Sequence, residues 1–397
     1  MERIGIFGGA FNPPHAGHVQ AARYALEAFS LDRLLVIPSC VSPHKTAPVG
    51  TPADAQRLAM TRLAFASVEE VTVSDMELSR GGISYSVDTL EALHVQYPQA
   101  QLFLCMGTDM FLSFQSWKEY RRIAQLATLA VIFRGLPAEQ EKVLEQKKCL
   151  EALGATVCMP ENPVTAISST DLRRLVSFGC TQAFLPEAVA DYICQNQLYG
   201  CGRSYRELPM DQLEQVVVSL LKPSRVAHVL GCRDTCVALA EKWGASTTDA
   251  GRAGLLHDIT KALDGPLQLT LCQAYGTILD DFSVHNPKTL HALTGSLVAD
   301  KIFGENEAVV SAIHSHTTGK ANMNLLEKIV YVADYMEPNR DFPGVEALRE
   351  LAFRDIDLAL KTGLEMTISM LRQQKREISK ESLEALQWLD ERMNKTC

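Results

Sequence analysis

The chain has 397 residues, more than one ordinary hydrophobic core holds, so two domains are expected. A hydrophobic fraction of 47% and a charged fraction of 21% are typical of folded globular proteins and exclude a disordered chain. The net charge is −9, and neither half has the basic excess expected of a general nucleic-acid binder. No apolar run approaches the roughly 20 residues that span a bilayer, and the N-terminus lacks a signal-peptide pattern. We therefore expect a cytoplasmic protein that binds neither nucleic acid nor membranes.

Short apolar runs alternate with helical patterns through the first half of the chain. This alternation predicts an α/β domain with a parallel, doubly wound sheet, whose ligands bind at the carboxyl ends of the strands. The predicted strands are residues 3–7, 34–38, 71–74, 101–106 and 129–133. The predicted helices are residues 17–29, 52–66, 86–96 and 118–126.

The second half lacks this alternation, and its pattern predicts an all-α domain. Its predicted helices are residues 212–221, 225–243, 248–262, 291–303, 307–315, 325–336 and 345–371. A glycine-rich, polar stretch at residues 200–204 is followed by Pro209 and predicts the junction. We expect one domain over 1–200, a linker over 201–210 and a second domain over 211–397.

The eleven cysteines are scattered, odd in number and never spaced Cys-x-x-Cys. Cys232 and Cys236 lie four residues apart, a spacing that puts them on one helix face rather than in a zinc knuckle. We expect free thiols in a reducing compartment.

Residues 8–18, GGAFNPPHAGH, follow the first predicted strand and open the first predicted helix. Two glycines let a backbone approach a ligand closely, and a helix N-terminus offers free N–H groups to a phosphate. His15 and His18 are three residues apart, so both imidazoles can face the same anion. Taken alone, such a segment more often serves helix capping and packing than chemistry.

Three further segments support a phosphate site. Residues 168–174 place Ser169 and Thr170 at a helix start with Arg173 one turn later, which suits a polyphosphate, although by itself it describes an ordinary N-cap. Lys45 lies in the loop after the second predicted strand, where it could reach phosphates. Asp109 follows the fourth strand, and Trp117 is either a stacking surface or a core aromatic.

Together these segments resemble the bacterial nicotinate-nucleotide adenylyltransferases over the first ~195 residues. The matching segments are residues 8–18, 43–45, 84–90, 107–109, 117–118, 167–173 and 185–199. Ala10 and Asn12 stand where the family commonly has Thr and Asp. The resemblance implies that nicotinate mononucleotide attacks the α-phosphate of ATP with Mg²⁺ present, releasing pyrophosphate without a covalent enzyme intermediate.

The resemblance also assigns roles to individual residues. His15 and His18 would contact the ATP phosphates, with His18 bearing most on the transition state, and Trp117 would stack toward the pyridine ring. The implied catalytic residues are His15, His18, Lys45 and Arg173. The implied substrate- and ATP-binding residues are Gly8, Gly9, Phe11, Asp109, Trp117, Ser169 and Thr170.

In the second half, His257-Asp258 is expected inside an apolar helix, where burial without partners would be costly. A metal would remove that cost, and further candidate ligands on or beside predicted helices are His228, His291, His316 and Asp334. Such imidazole and carboxylate sets suit Fe, Mn or a similar divalent metal. An Asp that bridges two metals would prepare a hydroxide for in-line attack on phosphorus. His285 and His314 have no such support.

This pattern resembles the HD-domain metal phosphohydrolases, and residues 224–231, 316–319 and 333–340 are similar to the YqeK-type subgroup. The resemblance implies symmetrical hydrolysis of diadenosine tetraphosphate to two ADP, with Asp258 in the catalytic centre. Two divalent metals, Fe or Mn, would be bound by His228, His257, Asp258, His291, His316 and Asp334. The implied phosphate contacts are Lys261, Thr317 and Arg340.

The leading hypothesis is therefore a bifunctional enzyme whose small-molecule partners are ATP, nicotinate mononucleotide and diadenosine tetraphosphate. In one alternative both folds are kept, but either site takes a different nucleotide, since a fold does not fix its ligand. In another, the C-terminal domain only senses nucleotides. The sequence leaves the oligomeric state open, a homo-oligomer included.

Overall fold

The computed structural model describes residues 1–43, 47–48, 50–132, 137–160 and 168–394. The chain divides into two compact units, Met1–Gly202 and Arg203–Cys397. No helix in the described ranges combines the length and the apolar character needed to cross a membrane. The cysteines in those ranges are free thiols, and Cys232 and Cys236 are both buried.

The first unit is built on a parallel sheet with six strands in the described ranges, in the order β3-β2-β1-β4-β5-β6. The predicted doubly wound α/β class is confirmed, and the strand order reverses between β1 and β4. The predicted strands begin within one residue of β1 to β5, whereas β6 was not predicted. The strands are β1 (Arg3–Gly9), β2 (Arg33–Pro38), β3 (Val71–Val73), β4 (Gln101–Gly107), β5 (Thr128–Ile132) and β6 (Val157–Cys158).

Helices connect these strands and cover the sheet. The central strands are almost continuously apolar, and β5 is buried along its whole length, as expected for a parallel sheet covered on both faces. One core joins Ile4, Leu104 and Leu129 of neighbouring strands to Leu90 and Phe111 of the helices. The helices are α1 (Ala16–Ala28), α2 (Asp54–Phe65), α3 (Met76–Arg80), α4 (Ser86–Gln96), α5 (Thr108–Leu112), α6 (Tyr120–Leu126), α7 (Pro137–Ala152), α8 (Ser169–Ser177) and α9 (Glu187–Gln195).

The regular elements of the second unit are helical over its described residues, 203–394, which confirms the all-α prediction. The predicted single helix over 345–371 is two helices, because the Asp355 carboxylate accepts the Leu358 N–H and starts a new one. The helices are α10 (Met210–Leu220), α11 (Pro223–Trp243), α12 (Thr247–Leu256), α13 (Gly265–Ala274), α14 (Asp281–His285), α15 (Leu290–Val298), α16 (Glu307–Ser315), α17 (Leu325–Met336), α18 (Val345–Ala352), α19 (Ile356–Gln373) and α20 (Lys380–Asn394).

Candidate active sites

In the first unit, the loops that follow β1 and β4 emerge at the same edge of the sheet, because the two strands are parallel neighbours. The predicted glycine pair forms the last two residues of β1 rather than following it. Gly8 is exposed, and a Cβ there would meet nothing within 4 Å, so packing alone does not require a glycine. Its backbone is therefore open to a ligand.

The two predicted histidines lie together at the start of α1. His15 is the N-cap and is buried, His18 is the third helical residue, and their ring centroids are 3.6 Å apart. The His15 backbone N–H donates to His18 Nδ1 at 3.2 Å. Since Nδ1 accepts this bond, the neutral His18 ring carries its proton on Nε2, from which it can donate to an anion.

The start of α8 holds the loop that precedes these histidines. Arg173 Nη1 donates to the carbonyl of Asn12 at 2.6 Å, and its Nη2 donates to Thr170 Oγ1 at 3.0 Å. Ser169 Oγ donates to the carbonyl of Pro13 at 3.2 Å. Burial lowers the pKa of Arg173, but a guanidinium stays charged at neutral pH. The early and late motifs, which the bond from Ser169 to Pro13 joins across 156 positions of the chain, thus form one cationic, hydroxyl-lined corner.

The other predicted residues of this site differ in what they can offer a ligand. Asp109 is exposed on α5, directly after β4. Trp117 is half-buried, with its ring 5.5 Å from that of Phe114. Phe11 is 1% exposed and packs edge-on against His18 at 5.1 Å, so only its backbone can meet a ligand directly. Lys45 lies outside the described residues.

Two residues that sequence reasoning did not assign also hold the loop. Arg57 is only 3% exposed and donates to the carbonyl of Ala10 at 2.8 Å, with Asp54 as its ion-pair partner at 2.6 Å. The Tyr199 hydroxyl donates to Asn12 Oδ1 at 2.6 Å. The sequence gives no signal for Arg57, an arginine in an unremarkable helix, whereas Tyr199 ends a segment that already matched the family.

In the second unit, the structure brings all six predicted metal ligands into one cluster, in which five are buried and Asp334 is partly exposed. His228 Nε2 lies 3.1 Å from Asp334 Oδ1 and 3.3 Å from His257 Nε2. Asp258 Oδ1 lies 3.3 Å from His291 Nε2 and 3.8 Å from His316 Nε2. The six come from α11, α15 and α17 and from the turns after α12 and α16.

Two groups within this cluster, which share His257, have ligand atoms within 4.8 Å of one another and can hold a metal ion. Among the described residues they are His228, His257 and Asp334, and His257, Asp258 and His316. His316 Nε2 is buried with no hydrogen-bond partner in the described chain, a costly state that a metal would relieve. The donor set therefore fits divalent metals. His291 belongs to neither group, and its Nε2 lies 2.8 Å from Lys261 Nζ.

Backbone carbonyls orient three of the four imidazoles. A carbonyl only accepts hydrogen bonds, so each of these rings carries its proton on Nδ1 and directs the Nε2 lone pair into the cluster. The Nδ1 atoms of His257, His291 and His316 donate to the carbonyls of Gly254, Lys288 and Ile313 at 2.8, 2.8 and 2.6 Å. His228 Nδ1 instead meets a carboxylate, Glu337 Oε1, at 3.0 Å.

The expectation that His257-Asp258 lies inside a helix is wrong, because α12 ends at Leu256. The Gly254 carbonyl is taken by the His257 imidazole, and the next turns are tight three-residue turns, from Ile259 N–H to Leu256 and from Lys261 N–H to Asp258. This change of path turns Asp258 into the cluster beside His257.

Electrostatics favour the protonation states that a metal needs. Burial lowers the pKa of His316 and, together with the charges of His316 and Lys261, holds the pKa of His291 well below its usual range. Burial opposes ionisation of Asp334, yet its hydrogen bond to His228 and the neighbouring positive charges hold its pKa well below the ordinary value. These shifts favour the neutral form of His291 and His316 and the ionised form of Asp334.

Three cations contact the cluster. Arg225 donates to Asp258, and Arg340 donates to Asp334 Oδ1 at 2.6 Å. Burial lowers the pKa of Lys261 to about 8. Lys261 and Arg340 were predicted, whereas Arg225 and Glu337 were missed, although each lies three residues from a predicted ligand. The remaining predicted phosphate contact, Thr317, is half-buried next to His316.

Comparison with known proteins matches each half separately. Residues 6–175 match the cytidylyltransferase-like family, and residues 225–339 match the HD domain. A protein of Gemmatimonas aurantiaca named "Probable nicotinate-nucleotide adenylyltransferase" is 37% identical over 198 residues, 50% of this chain and 92% of its own length. One of the same name from Corynebacterium kroppenstedtii is 38% identical over 199 residues, 50% of this chain and 90% of its own length.

Two solved structures are also similar. A Clostridium acetobutylicum protein, described as a predicted HD superfamily hydrolase involved in NAD metabolism, is 38% identical with a TM-score of 0.45. The match covers 47% of this chain and 98% of that one. The Plasmodium falciparum nicotinic acid mononucleotide adenylyltransferase complexed with NaAD is 17% identical with a TM-score of 0.42, over 50% and 98% of the two chains. From its sequence relatives, the chain belongs through its N-terminal half to the nicotinate-nucleotide adenylyltransferase family, and its C-terminal half contains an HD domain.

Proposed function

We propose that the first unit transfers the adenylyl group of ATP to nicotinate mononucleotide, forming nicotinate adenine dinucleotide and pyrophosphate. The observation that carries this proposal is the close pair of buried His15 and half-buried His18 at the N-terminus of α1, together with the open Gly8 backbone and the cation of Arg173. The names of the sequence relatives supply the substrate class.

In this mechanism a phosphate oxygen of the mononucleotide attacks the α-phosphorus of ATP, and the bond to the pyrophosphate leaving group breaks. His18 donates from Nε2–H to the negative charge that develops on the α-phosphate. His15, Lys45, Thr170 and Arg173 hold the polyphosphate together with the Mg²⁺ that accompanies ATP. Catalysis rests on positioning and charge stabilisation, as phosphoryl-group chemistry commonly does.

The remaining residues bind the substrates. Gly8, Gly9 and Phe11 present backbone groups to the nucleotide. The Ser169 hydroxyl is part of the cationic, hydroxyl-lined corner that binds the polyphosphate. Asp109 and Trp117 lie near the nucleotide substrates, and the Trp117 ring stacks toward the pyridine ring.

Product analysis tests this activity on the full chain. With ATP, Mg²⁺ and nicotinate mononucleotide, the proposal predicts equimolar dinucleotide and pyrophosphate. A parallel reaction with nicotinamide mononucleotide measures how strictly the acid form is preferred. If neither mononucleotide yields a dinucleotide, the site acts on another nucleotide.

We propose further that the second unit is a metal-dependent phosphohydrolase that cleaves diadenosine tetraphosphate symmetrically. The observation that carries this proposal is the convergence of four imidazoles and two carboxylates with an orphaned His316 Nε2. Two divalent ions, Fe or Mn, would polarise phosphoryl oxygens and supply a nucleophile at neutral pH. The residues that would hold them are His228, His257, Asp258, His291, His316 and Asp334.

The chain's own cations complete this site. Arg225, Lys261 and Arg340 bind the phosphate oxygens of the substrate, with Thr317 beside them. In the overall reaction water adds to one central phosphorus, the bridging P–O bond to the other central phosphate breaks, and two ADP result. Asp258 lies between His291 and Arg225, so it contacts both an imidazole that would bind metal and a guanidinium that would bind phosphate.

A second product analysis, with diadenosine tetraphosphate and Fe²⁺ or Mn²⁺, tests this activity. ADP as sole nucleotide product supports symmetrical cleavage, whereas ATP and AMP together would refute it. Metal binding without hydrolysis would leave a nucleotide sensor or a hydrolase of another nucleotide.

Expression of residues 1–200 and 211–397 as separate chains tests the proposed domain limits, since each half should keep its own activity.

A further inference from the structure

Glu337 is a buried carboxylate that contacts the cluster of predicted metal ligands without being one of them. It caps the C-terminal end of α17, is only 1% exposed, and directs Oε1 to His228 Nδ1 at 3.0 Å. Its Oε2 accepts two hydrogen bonds from Asn339, one from the backbone N–H at 2.7 Å and one from the side-chain amide at 2.8 Å. Both carboxylate oxygens are therefore committed, and only Oε1 faces the imidazole.

Helix α11 packs closely against this carboxylate at a glycine. Gly231 lies three residues after His228, and a Cβ there would sit 2.5 Å from Glu337 Oε2 and 2.9 Å from Asn339 Nδ2. Real Cβ atoms do not approach so closely. The amide of Asn339 also donates to the carbonyl of Ala227 at 3.0 Å, which ties the arrangement back to the same helix. Gly231 is thus required by the Glu337–Asn339 pair rather than by the helix itself.

We propose that Glu337 is a positioning residue that fixes His228 as the Nδ1–H tautomer and aims its Nε2 at the metal group shared with His257 and Asp334. Among the described imidazoles of the cluster, His228 is oriented by a carboxylate, while the other three are oriented by neutral carbonyls. A negative partner strengthens electron donation by the ligand, and loss of such partners commonly weakens metal binding by about 10–100-fold. This inference rests on the metal site proposed above and adds a residue that is not itself a ligand.

The geometry makes Glu337→Gln an informative variant. Asn339 directs two N–H donors at the Oε2 position, so the glutamine oxygen will occupy that position and its NH₂ will face His228 Nδ1. Nδ1 must then accept a hydrogen bond, and the proton moves to Nε2, where it blocks metal binding. An isosteric change should therefore weaken Mn²⁺ binding at least as much as Glu337→Ala does. A role in packing alone would leave Glu337→Gln close to wild type.

The experiment measures binding of Mn²⁺ alone to the full chain by calorimetry, together with thermal melting of the metal-free protein. The Glu384→Gln variant changes the same charge on an exposed part of α20 and is the matched control. We expect a loss of about 10–100-fold in Mn²⁺ affinity for Glu337→Gln and Glu337→Ala, and none for Glu384→Gln. Wild-type affinity in Glu337→Gln overturns the proposal.

A double-mutant cycle tests the role of Gly231. In the wild-type background Gly231→Ala displaces the carboxylate and should weaken Mn²⁺ binding. In the Glu337→Ala background the clash with the carboxylate is gone, and the Asn339 amide, 2.9 Å from the new Cβ, is no longer held by Glu337 Oε2. We therefore expect Gly231→Ala to cost little further affinity there, a clear departure from additivity. Equal losses in both backgrounds would contradict the link between Gly231 and Glu337.

Nitrogen-15 NMR of labelled histidine separates this proposal from the proposed function. Asp334 Oδ1 lies 3.1 Å from His228 Nε2, so Nε2 can carry a proton in the metal-free chain and the diagnostic atom is Nδ1. It should be protonated in the wild type and unprotonated in Glu337→Gln. This readout decides the role of Glu337 even if the chain hydrolyses no diadenosine tetraphosphate or takes up no Mn²⁺, outcomes that count against the proposed function. An unprotonated Nδ1 on His228 in the wild type overturns the inference.

Discussion

His18 has a structural role at the start of α1 and a proposed catalytic role, and two substitutions can separate them. Its Nδ1 accepts the His15 backbone N–H at 3.2 Å, which satisfies one donor at the start of α1. In the proposed mechanism its Nε2–H also donates to the α-phosphate in the transition state. Losing the helix-terminal bond should cost about 1 kcal/mol, or about 2–4 °C in the melting temperature of a unit this size. Losing the donor should lower kcat by about 10²–10³.

The variant His18→Ala loses both interactions, whereas His18→Asn is expected to lose one. The asparagine Oδ1 can take the place of the imidazole Nδ1 and accept the His15 N–H, but the shorter side chain has no donor at the position of Nε2. We therefore expect His18→Asn to melt like the wild type and to turn over as slowly as His18→Ala. Pyrophosphate release at saturating ATP and mononucleotide, and thermal melting of the same samples, measure the two effects. If kcat recovers along with stability in His18→Asn, His18 is only a helix-capping residue.

Three further predictions follow from contacts in the two units. Tyr199→Phe leaves the buried Asn12 Oδ1 without its hydroxyl donor, so the free energy of unfolding should fall by about 1–3 kcal/mol in thermal melts; an unchanged value would contradict that bond. Asp258→Asn should lower bound metal and abolish diadenosine tetraphosphate hydrolysis while adenylyl transfer continues, and retained hydrolysis would exclude Asp258 from the site. Because the pKa values of buried His291 and His316 are lowered, the unfolded chain binds protons that the folded chain does not. Metal-free protein should therefore lose stability as pH falls below about 6.5, and a flat denaturation profile from pH 7.5 to 5.5 would contradict this reasoning.

The sequence predicted those parts of the sites whose residue types are rare in their local setting. A His-Asp pair in an apolar segment, or two histidines after a Gly-Gly pair, is by itself a weak signal, and the further matching segments made each of them specific. The strand pattern was equally readable, because parallel strands buried on both faces are continuous apolar runs.

What the sequence did not predict depends on contacts between distant segments. Arg57, Arg225 and Glu337 are common residue types in ordinary helical surroundings, and their roles exist only because the fold places them against Ala10, Asp258 and His228. Gly231 looks like a helix weakness until the carboxylate beside it is seen. The end of α12 was missed for a similar reason, because a side chain, His257, takes the carbonyl that would continue the helix.

If one chain carries two separate phosphate chemistries, single substitutions should remove them one at a time. Wild type, His18→Asn and Asp258→Asn are each assayed for nicotinate adenine dinucleotide from ATP and nicotinate mononucleotide, and for ADP from diadenosine tetraphosphate with Mn²⁺. The independence of the two sites predicts that wild type makes both products, that His18→Asn loses only the dinucleotide, and that Asp258→Asn loses only the ADP. Loss of both products in either variant, or a wild type that makes only one of them, would contradict it.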